Sequence, residues 1–393
     1  MTAGCSKITK YAVLVCISMA LHFPLSTLHS LHAQRPLSDG ATASVITCGP
    51  GNDFYLAFGH SALRICDTAQ GIDFVYNYGT FDFGAPHFYW RFIRGRLDYC
   101  LSRSSFMSFM ATYDYERRAV WDQRLNLTPQ EVNNLFVMLE WNYLPENRYY
   151  RYDFFRDNCA TRVRDMVESA CGHTPLVTAH RPLKSYRRVV HESTAGGRLE
   201  WWTLGVDLLL GLPADHCCDV REIMFHPMHM MELFADASLG DRPLTSAAVQ
   251  LLPDVRPPLH RSFPPLAVFG LLLATVAVLT WKGWWPRWAD RVLLALAGTV
   301  GLLLLFMWFG TGHYCTGWNL NILWASPLLI LIAIRLERSP RWALWTQEAC
   351  FLVAAVWVVA CGLSVALIPL ILILALRVAC LIPRRPQLPQ RQR

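Results

Sequence analysis

The chain reads as an α+β domain followed by an all-α bundle of about five transmembrane helices. Three observations predict this. Hydrophobic residues make up 53% of the 393 residues and charged residues 17%, too apolar for one ordinary soluble domain and incompatible with a disordered chain. The apolar residues are also unevenly spread. Pro264 to Ile382 is dominated by Leu, Val, Ala, Ile and Trp, whereas Arg35 to Ser262 is mixed in composition and long enough to bury a core. Within that first part, short β-type runs are interspersed with capped helices.

The N-terminus carries a secretory signal pattern. Lys7 and Lys10 precede the apolar run Tyr11–Leu25, and Ser30-Leu31-His32-Ala33-Gln34 offers a cleavage site after Ala33. Residues 1–33 are therefore expected to be removed, with an uncleaved anchor as the alternative. The apolar run is short for a spanning helix and contains Pro24.

The exported domain is expected to occupy residues 35–262, with a core at about 45–170 and an accessory part at 171–262. Ser44–Cys48, Phe54–Cys66, Phe74–Tyr78 and Arg96–Ser102 read as strands, with Gly59-His60 at a bend or strand end. Thr128-Pro129-Gln130-Glu131 is a helix start with a capping box, and Leu135, Met138 and Leu139 recur at helical spacing. Tyr149–Phe155 is extended. A second helix covers Cys159–Ala170, capped by Asp157 or Asn158 and ended by Cys171-Gly172.

The transmembrane bundle is expected at 264–382, in spans Pro264–Trp281, Val292–Phe309, Leu320–Ile334, Ala343–Cys361 and Leu363–Ile382. Pro327 interrupts the third. Connections 282–291 and 335–341 are basic, as is the tail 383–393, while Gly310–Asn319 has no Lys or Arg. Basic connections face the cytoplasm, so an odd number of spans leaves residues 35–262 in the periplasm. The net charge of +7 is thus accounted for by membrane topology. No nucleic-acid partner is expected, since no binding motif accompanies the charge.

Of the 13 Cys, eight lie on the exported side, where disulfides are permitted. Adjacent Cys217-Cys218 is a poor metal signature, so a structural disulfide is its expected use. His226 and His229 read as structural rather than as metal ligands. No cofactor and no metal is expected.

One cysteine stands apart. Cys159 is the first residue of a helix, where outward-pointing N–H groups favour a thiolate. His60, at a strand end between Gly59 and Ser61, is the candidate base. A third polar group is needed to fix the imidazole tautomer: Asn77 is the first choice and Asp82 the second. The helix-start N–H groups are candidate oxyanion donors. Arg148, Arg151, Arg156, Arg162 and Arg164 surround Cys159 in sequence. They either bind a lipid phosphate or pair with Asp153, Asp157 and Asp165, pairing being the expected use.

Residues about 45–170 resemble the exported domain of Lnb-type lipoprotein N-acyltransferases of Bacteroides and relatives. The resemblance is carried by Phe58-Gly59-His60-Ser61, Asn77-Tyr78-Gly79-Thr80-Phe81-Asp82-Phe83, Leu125-Asn126-Leu127, Pro145-Glu146-Asn147-Arg148-Tyr149-Tyr150 and, most specifically, Asp157-Asn158-Cys159-Ala160-Thr161-Arg162. His313, Asn319-Leu320-Asn321-Ile322-Leu323-Trp324 and Pro327 extend it into the membrane region. The His-first, Cys-on-helix order is similar to circularly permuted papain-like folds of the NlpC and lecithin retinol acyltransferase type. The resemblance implies Cys159 as nucleophile and His60 as base; Asn77 rests on the residue reading alone. It further implies transfer of an acyl chain from a membrane phospholipid, through a Cys thioester, to the α-amine of a diacylglyceryl-cysteine lipoprotein at the inner membrane. Two other readings fit the same residues: a membrane-tethered papain-like amidase acting on peptidoglycan, and a non-enzymatic membrane assembly factor.

Overall fold

The strands meet in one antiparallel sheet of seven, in the spatial order β6-β4-β3-β2-β1-β5-β9. Its core is a meander of β1 (Thr42–Cys48), β2 (His60–Asp67), β3 (Ile72–Thr80) and β4 (Asp98–Ser105). The edges are β6 (Tyr149–Arg151) on one side, and β5 (Val120–Arg124) with β9 (Val249–Leu252) on the other, while β7 (Ser238–Leu239) and β8 (Arg242–Pro243) pair in a separate ribbon. This computed structural model describes residues 36–81, 84, 86–172, 184–194, 199–257 and 262–382. The expected signal peptide (1–33), Asp82 and the basic tail (383–393) lie outside the described residues.

Side chains of successive strand residues point to opposite faces, and here both faces are covered. Val45, Leu63 and Tyr76 pack on one face beneath α3 (Pro129–Tyr143), α4 (Cys159–Ala170) and α7 (Pro227–Asp236). Ile46, Ala62 and Val75 face the other way, against α2 (Phe106–Tyr115). That explains why β1 is buried at six successive positions, Ala43–Cys48. The capping box at α3 is present: Thr128 Oγ1 accepts from the Glu131 N–H at 3.3 Å, and Glu131 Oε2 accepts from the Thr128 N–H at 2.7 Å.

The structure departs from the sequence reading at several places. Phe54–Cys66 is not one strand. Phe54–Leu56 forms a 3-10 turn and pairing begins at His60. The extended run from Tyr149 stops at Arg151, because Asp153 and Asp157 bond each other's backbone and close a turn. Helix α1 (Phe88–Ile93) separates β3 from β4. The accessory region forms α5 (Tyr186–Thr194), α6 (Glu200–Leu209) and α7.

After residue 264 the chain is helical: α8 (Pro265–Trp281), α9 (Arg287–Gly310), α10 (Leu328–Ile334), α11 (Arg341–Ala360) and α12 (Leu367–Ala379). Among the described residues, three segments are long and apolar enough to cross a membrane: Arg287–Gly310, Tyr314–Ile334 and Arg341–Ala360. The first and last expected spans are shorter helices, of 17 and 13 residues. The last is shortened because the chain turns at Gly362 and becomes helical only at Leu367. The middle segment is broken as Pro327 requires: a 3-10 turn at Leu320–Leu323 precedes α10, which starts after Pro327.

Candidate active site

Helix α4 begins at Cys159 because Asn158 ends the preceding loop. The Asn158 Oδ1 accepts from the N–H of Ala160 (2.9 Å) and of Thr161 (3.0 Å), and the Thr161 hydroxyl accepts from the Asn158 N–H (2.8 Å). The Asn158 Nδ2 donates to the carbonyls of Phe154 and Phe225, both at 2.8 Å. One buried amide therefore caps the helix and ties it to two other segments. Of the two capping residues considered, Asn158 caps, and Asp157 instead pairs with Arg162 at 2.6 Å.

His60 opens β2. The residue before it, Gly59, has φ +79, and a Cβ there would lie 2.6 Å from the Cys48 carbonyl. Glycine is therefore required for the chain to turn sharply into the strand at His60. The β2–β3 register pairs Leu63 with Tyr76. Beyond that pair the end of β3 is bulged between Asn77 and Thr80, and Gly79 there lies against the nucleophile candidate: a Cβ added to it would stand 3.7 Å from the Cys159 Cβ. The His60 Nε2 donates to Asn77 Oδ1 at 3.2 Å. That bond fixes the tautomer and leaves Nδ1 for the Cys159 thiol, which is hydrogen-bonded to His60.

The electrostatics follow from this contact. Burial pushes the Cys159 thiol up, but the His60 charge, its hydrogen bond and the backbone N–H groups of Ser61 and Ala160 outweigh burial and hold it below its ordinary 9.0. Burial works against charge on His60, yet the Cys159 sulfur and the bonds to Cys159 and Asn77 raise the imidazole above its ordinary 6.5. Both directions favour a thiolate–imidazolium pair. Cys48, opposite His60 on β1, is a buried thiol without such a partner, and burial pushes it up to about 12.

The structure thus brings Cys159, His60 and Asn77 together. Asp82 lies outside the described residues. The helix-start N–H groups divide: the Asn158 side chain engages those of Ala160 and Thr161, and the Cys159 N–H is the one it does not. Residue reasoning missed Tyr150 and Tyr152, whose hydroxyls are pushed up by burial and then by the Cys159 charge. Their spacing of two, Tyr150 on the edge strand and Tyr152 just past it, shortly before the Asn-Cys helix start, was the available signal. The Tyr150 hydroxyl is buried with no hydrogen-bond partner among the described residues.

Other candidates resolve into structural roles. Arg162 pairs with Asp157 and Arg164 with Asp165, while Arg148 and Arg156 lie over the rings of Tyr143 and Tyr314. His226 bonds the Ser193 hydroxyl at 2.9 Å, and no metal-ligating group of side chains occurs among the described residues. The structural disulfides expected of Cys217 and Cys218 are not formed: Cys217 is exposed, Cys218 is buried, and both are free. Adjacent side chains point in different directions here, and Cys218 enters the apolar cluster that also holds Cys315. His313 donates to the carbonyls of Phe92 and Ile93. Asn319 and Asn321 donate to those of Leu208 and Asp207. These three residues join the helical region to the sheet domain.

Comparison with known families matches residues 34–192 to the Lnb N-terminal periplasmic domain and residues 258–384 to the Lnb transmembrane domain. Among curated proteins and among solved structures, none matches the chain. With both domains present in order, the chain belongs to the Lnb-type family and is a membrane protein with a periplasmic N-terminal domain.

Proposed function

We propose that the protein is a thiol-dependent lipoprotein N-acyltransferase of the bacterial inner membrane. The observation that carries this reading is the contact of Cys159 with His60, itself held by Asn77, in a domain joined directly to membrane helices. A histidine on an early strand that precedes a cysteine on a helix supports a circularly permuted papain-like arrangement. Five apolar segments, two of them short, and basic cytoplasmic connections support a multi-pass base under the periplasmic domain.

The chemistry needs two steps. The Cys159 thiolate attacks the carbonyl carbon of a phospholipid ester, and the developing oxyanion is met by the Cys159 N–H. As the C–O bond breaks, imidazolium His60 gives its Nδ1 proton to the departing lysophospholipid oxygen, leaving a thioester. The α-amine of a diacylglyceryl-cysteine lipoprotein then attacks the thioester. His60 takes the amine proton and the thiolate leaves, giving the N-acylated product. No metal or cofactor is invoked. Both substrates are anchored in the outer leaflet, so a membrane-fixed enzyme meets them in a thin layer at raised effective concentration.

The test is complementation of a deletion strain with wild type or Cys159→Ser, followed by mass spectrometry of one abundant lipoprotein N-terminus. Wild type is expected to restore the triacylated form and Cys159→Ser to leave it diacylated. Restoration by Cys159→Ser would point to an assembly factor. An unchanged lipoprotein beside altered muropeptides would point to a peptidoglycan amidase.

A further inference from the structure

We infer that helix α1, Phe88–Ile93, is seated in the outer leaflet among glycerophospholipid acyl chains and forms the access point of the donor lipid to Cys159. The seating stands on geometry alone, whereas the delivery of a donor lipid rests on the acyl-transfer reading above.

Three aromatic side chains of this six-residue helix are turned outward: Tyr89 is 74% exposed, Trp90 54% and Phe92 50%. Single exposed apolar residues are ordinary on a protein surface, but a contiguous aromatic patch marks a contact surface. The neighbours of this patch identify the contact. Trp90 stacks on Phe306 of α9, ring centroids 5.9 Å apart. α9 is long and apolar enough to cross a membrane and ends at Gly310, so Phe306 lies about 6 Å inside that end. Trp90 is therefore below the top of the span.

The helix is held there firmly. The Arg94 carbonyl accepts from the Gly312 N–H at 2.8 Å, and His313 Nε2 donates to the Ile93 carbonyl at 3.0 Å. Gly95 turns away with φ +61, and a Cβ at that position would meet His313 at 3.2 Å. Phe309 and Trp318, 74% and 65% exposed, both pack on Trp308 near the same end of α9 and add to the aromatic residues there. Aromatic rings collect at the membrane–water boundary, because they are apolar bodies with polar edges.

The buried side of α1 leads inward. Phe88 packs on Phe81 at 5.8 Å, Phe81 on Tyr99 at 5.1 Å, and Tyr99 on Tyr152 at 4.2 Å. Gly79, two residues before Phe81, lies against Cys159, where an added Cβ would stand 3.7 Å from the Cys159 Cβ. A run of aromatic contacts thus links the leaflet-facing helix to the strand end beside the reactive sulfur, and this apolar run is the route assigned to the acyl ester.

The experiment places benzoyl-phenylalanine at Phe92 in the full-length protein, reconstituted in vesicles of phosphatidylethanolamine and phosphatidylglycerol. Tyr115, 89% exposed on α2, and Leu272, exposed on α8, serve as the water-facing and lipid-facing comparisons. Irradiation is expected to give lipid adducts at positions 92 and 272 and none at 115. Absence of lipid adducts at 92 while 272 gives them overturns the seating, as do adducts at 115 as abundant as at 92, or adducts at 92 to polypeptide only. Since crosslinking needs no activity, failure of the acyl-transfer reading leaves this result untouched. For access, the double variant Tyr89→Glu/Phe92→Glu is expected to lower thioester formation from vesicle lipid by at least about tenfold, with Cys159 still alkylated by soluble iodoacetamide. Undiminished thioester formation in that variant overturns the access role.

Discussion

Two buried thiols separated by one strand pairing isolate what His60 does. Cys48 and Cys159 both lose water, and burial alone pushes the first to about 12. Cys159 moves the other way because an imidazole and two backbone N–H groups face its sulfur. The pair exists above the lowered thiol value and below the raised imidazole value. Activity is therefore expected to fall at acid pH as Cys159 protonates and at alkaline pH as His60 loses its proton, the two limbs belonging to the pair jointly. Iodoacetamide labelling of Cys159, followed by mass spectrometry across pH, reads the acid limb. Its midpoint is expected below 9.0 in the wild type. In His60→Ala, burial is opposed only by the Ser61 and Ala160 N–H groups, and the midpoint is expected to rise above that of the wild type. Asn77→Ala is expected to shift the midpoint upward by less, since it loses only the bond that orients the ring. A His60→Ala midpoint equal to that of the wild type would remove His60 from the mechanism.

At the scale of elements, the reactive position depends on a cap. Replacing Asn158 by Ala removes two accepted N–H bonds and leaves the carbonyls of Phe154 and Phe225 without their donor. The expected loss is roughly 2 kcal/mol or more, from the cap and the unsatisfied buried groups together. It should appear as a lower unfolding midpoint of the solubilised protein and slower Cys159 alkylation. Asn158→Asp keeps the acceptor and is expected to recover part of both. This element was legible in the sequence because a cap, a capping partner three residues on and an apolar stripe are all local signals. Asn77 was legible as a polar residue interrupting the apolar strand that follows His60. Helix α1 was not. Its start, His87, is left-handed with no side-chain cap, and FYWRFI, apolar but for Arg91, is too short to show a period. β5 and β9 pair across more than a hundred residues, a contact that no local window contains. The short fifth helix was misread for the opposite reason. Apolar composition continues from Leu363 to Ile382, but the turn at Gly362 delays the helix.

At the scale of the molecule, a buried carboxylate adds a further link between the sheet domain and the membrane helices. Asp207, at the end of α6, has no solvent exposure. Its Oδ1 accepts from Arg187 at 2.9 Å and His191 at 2.8 Å, and its Oδ2 accepts from the Ser364 N–H, between α11 and α12, at 2.7 Å. The Asp207 carbonyl accepts from Asn321 at 2.8 Å. Arg187 is equally buried and also holds Asp215 at 2.6 Å. A charge so placed is tolerated only with its partners, and removing one partner of such a pair costs about 3–5 kcal/mol. Asp207→Ala is therefore expected to lower the unfolding midpoint sharply and to open the 199–215 segment to limited proteolysis. Asp207→Asn retains an acceptor and is expected to do less. Asp207 touches neither Cys159 nor His60, so the pH midpoint of Cys159 alkylation should stay where it is in both variants. The seating of α1 uses a separate set of bonds at Gly312 and His313, so lipid adducts at position 92 should persist in Asp207→Asn. If alkylation and crosslinking shift together with the proteolysis, the junction acts as one unit and membrane position and thiol reactivity are mechanically linked. If only the proteolysis changes, Asp207 is a fastening and nothing more.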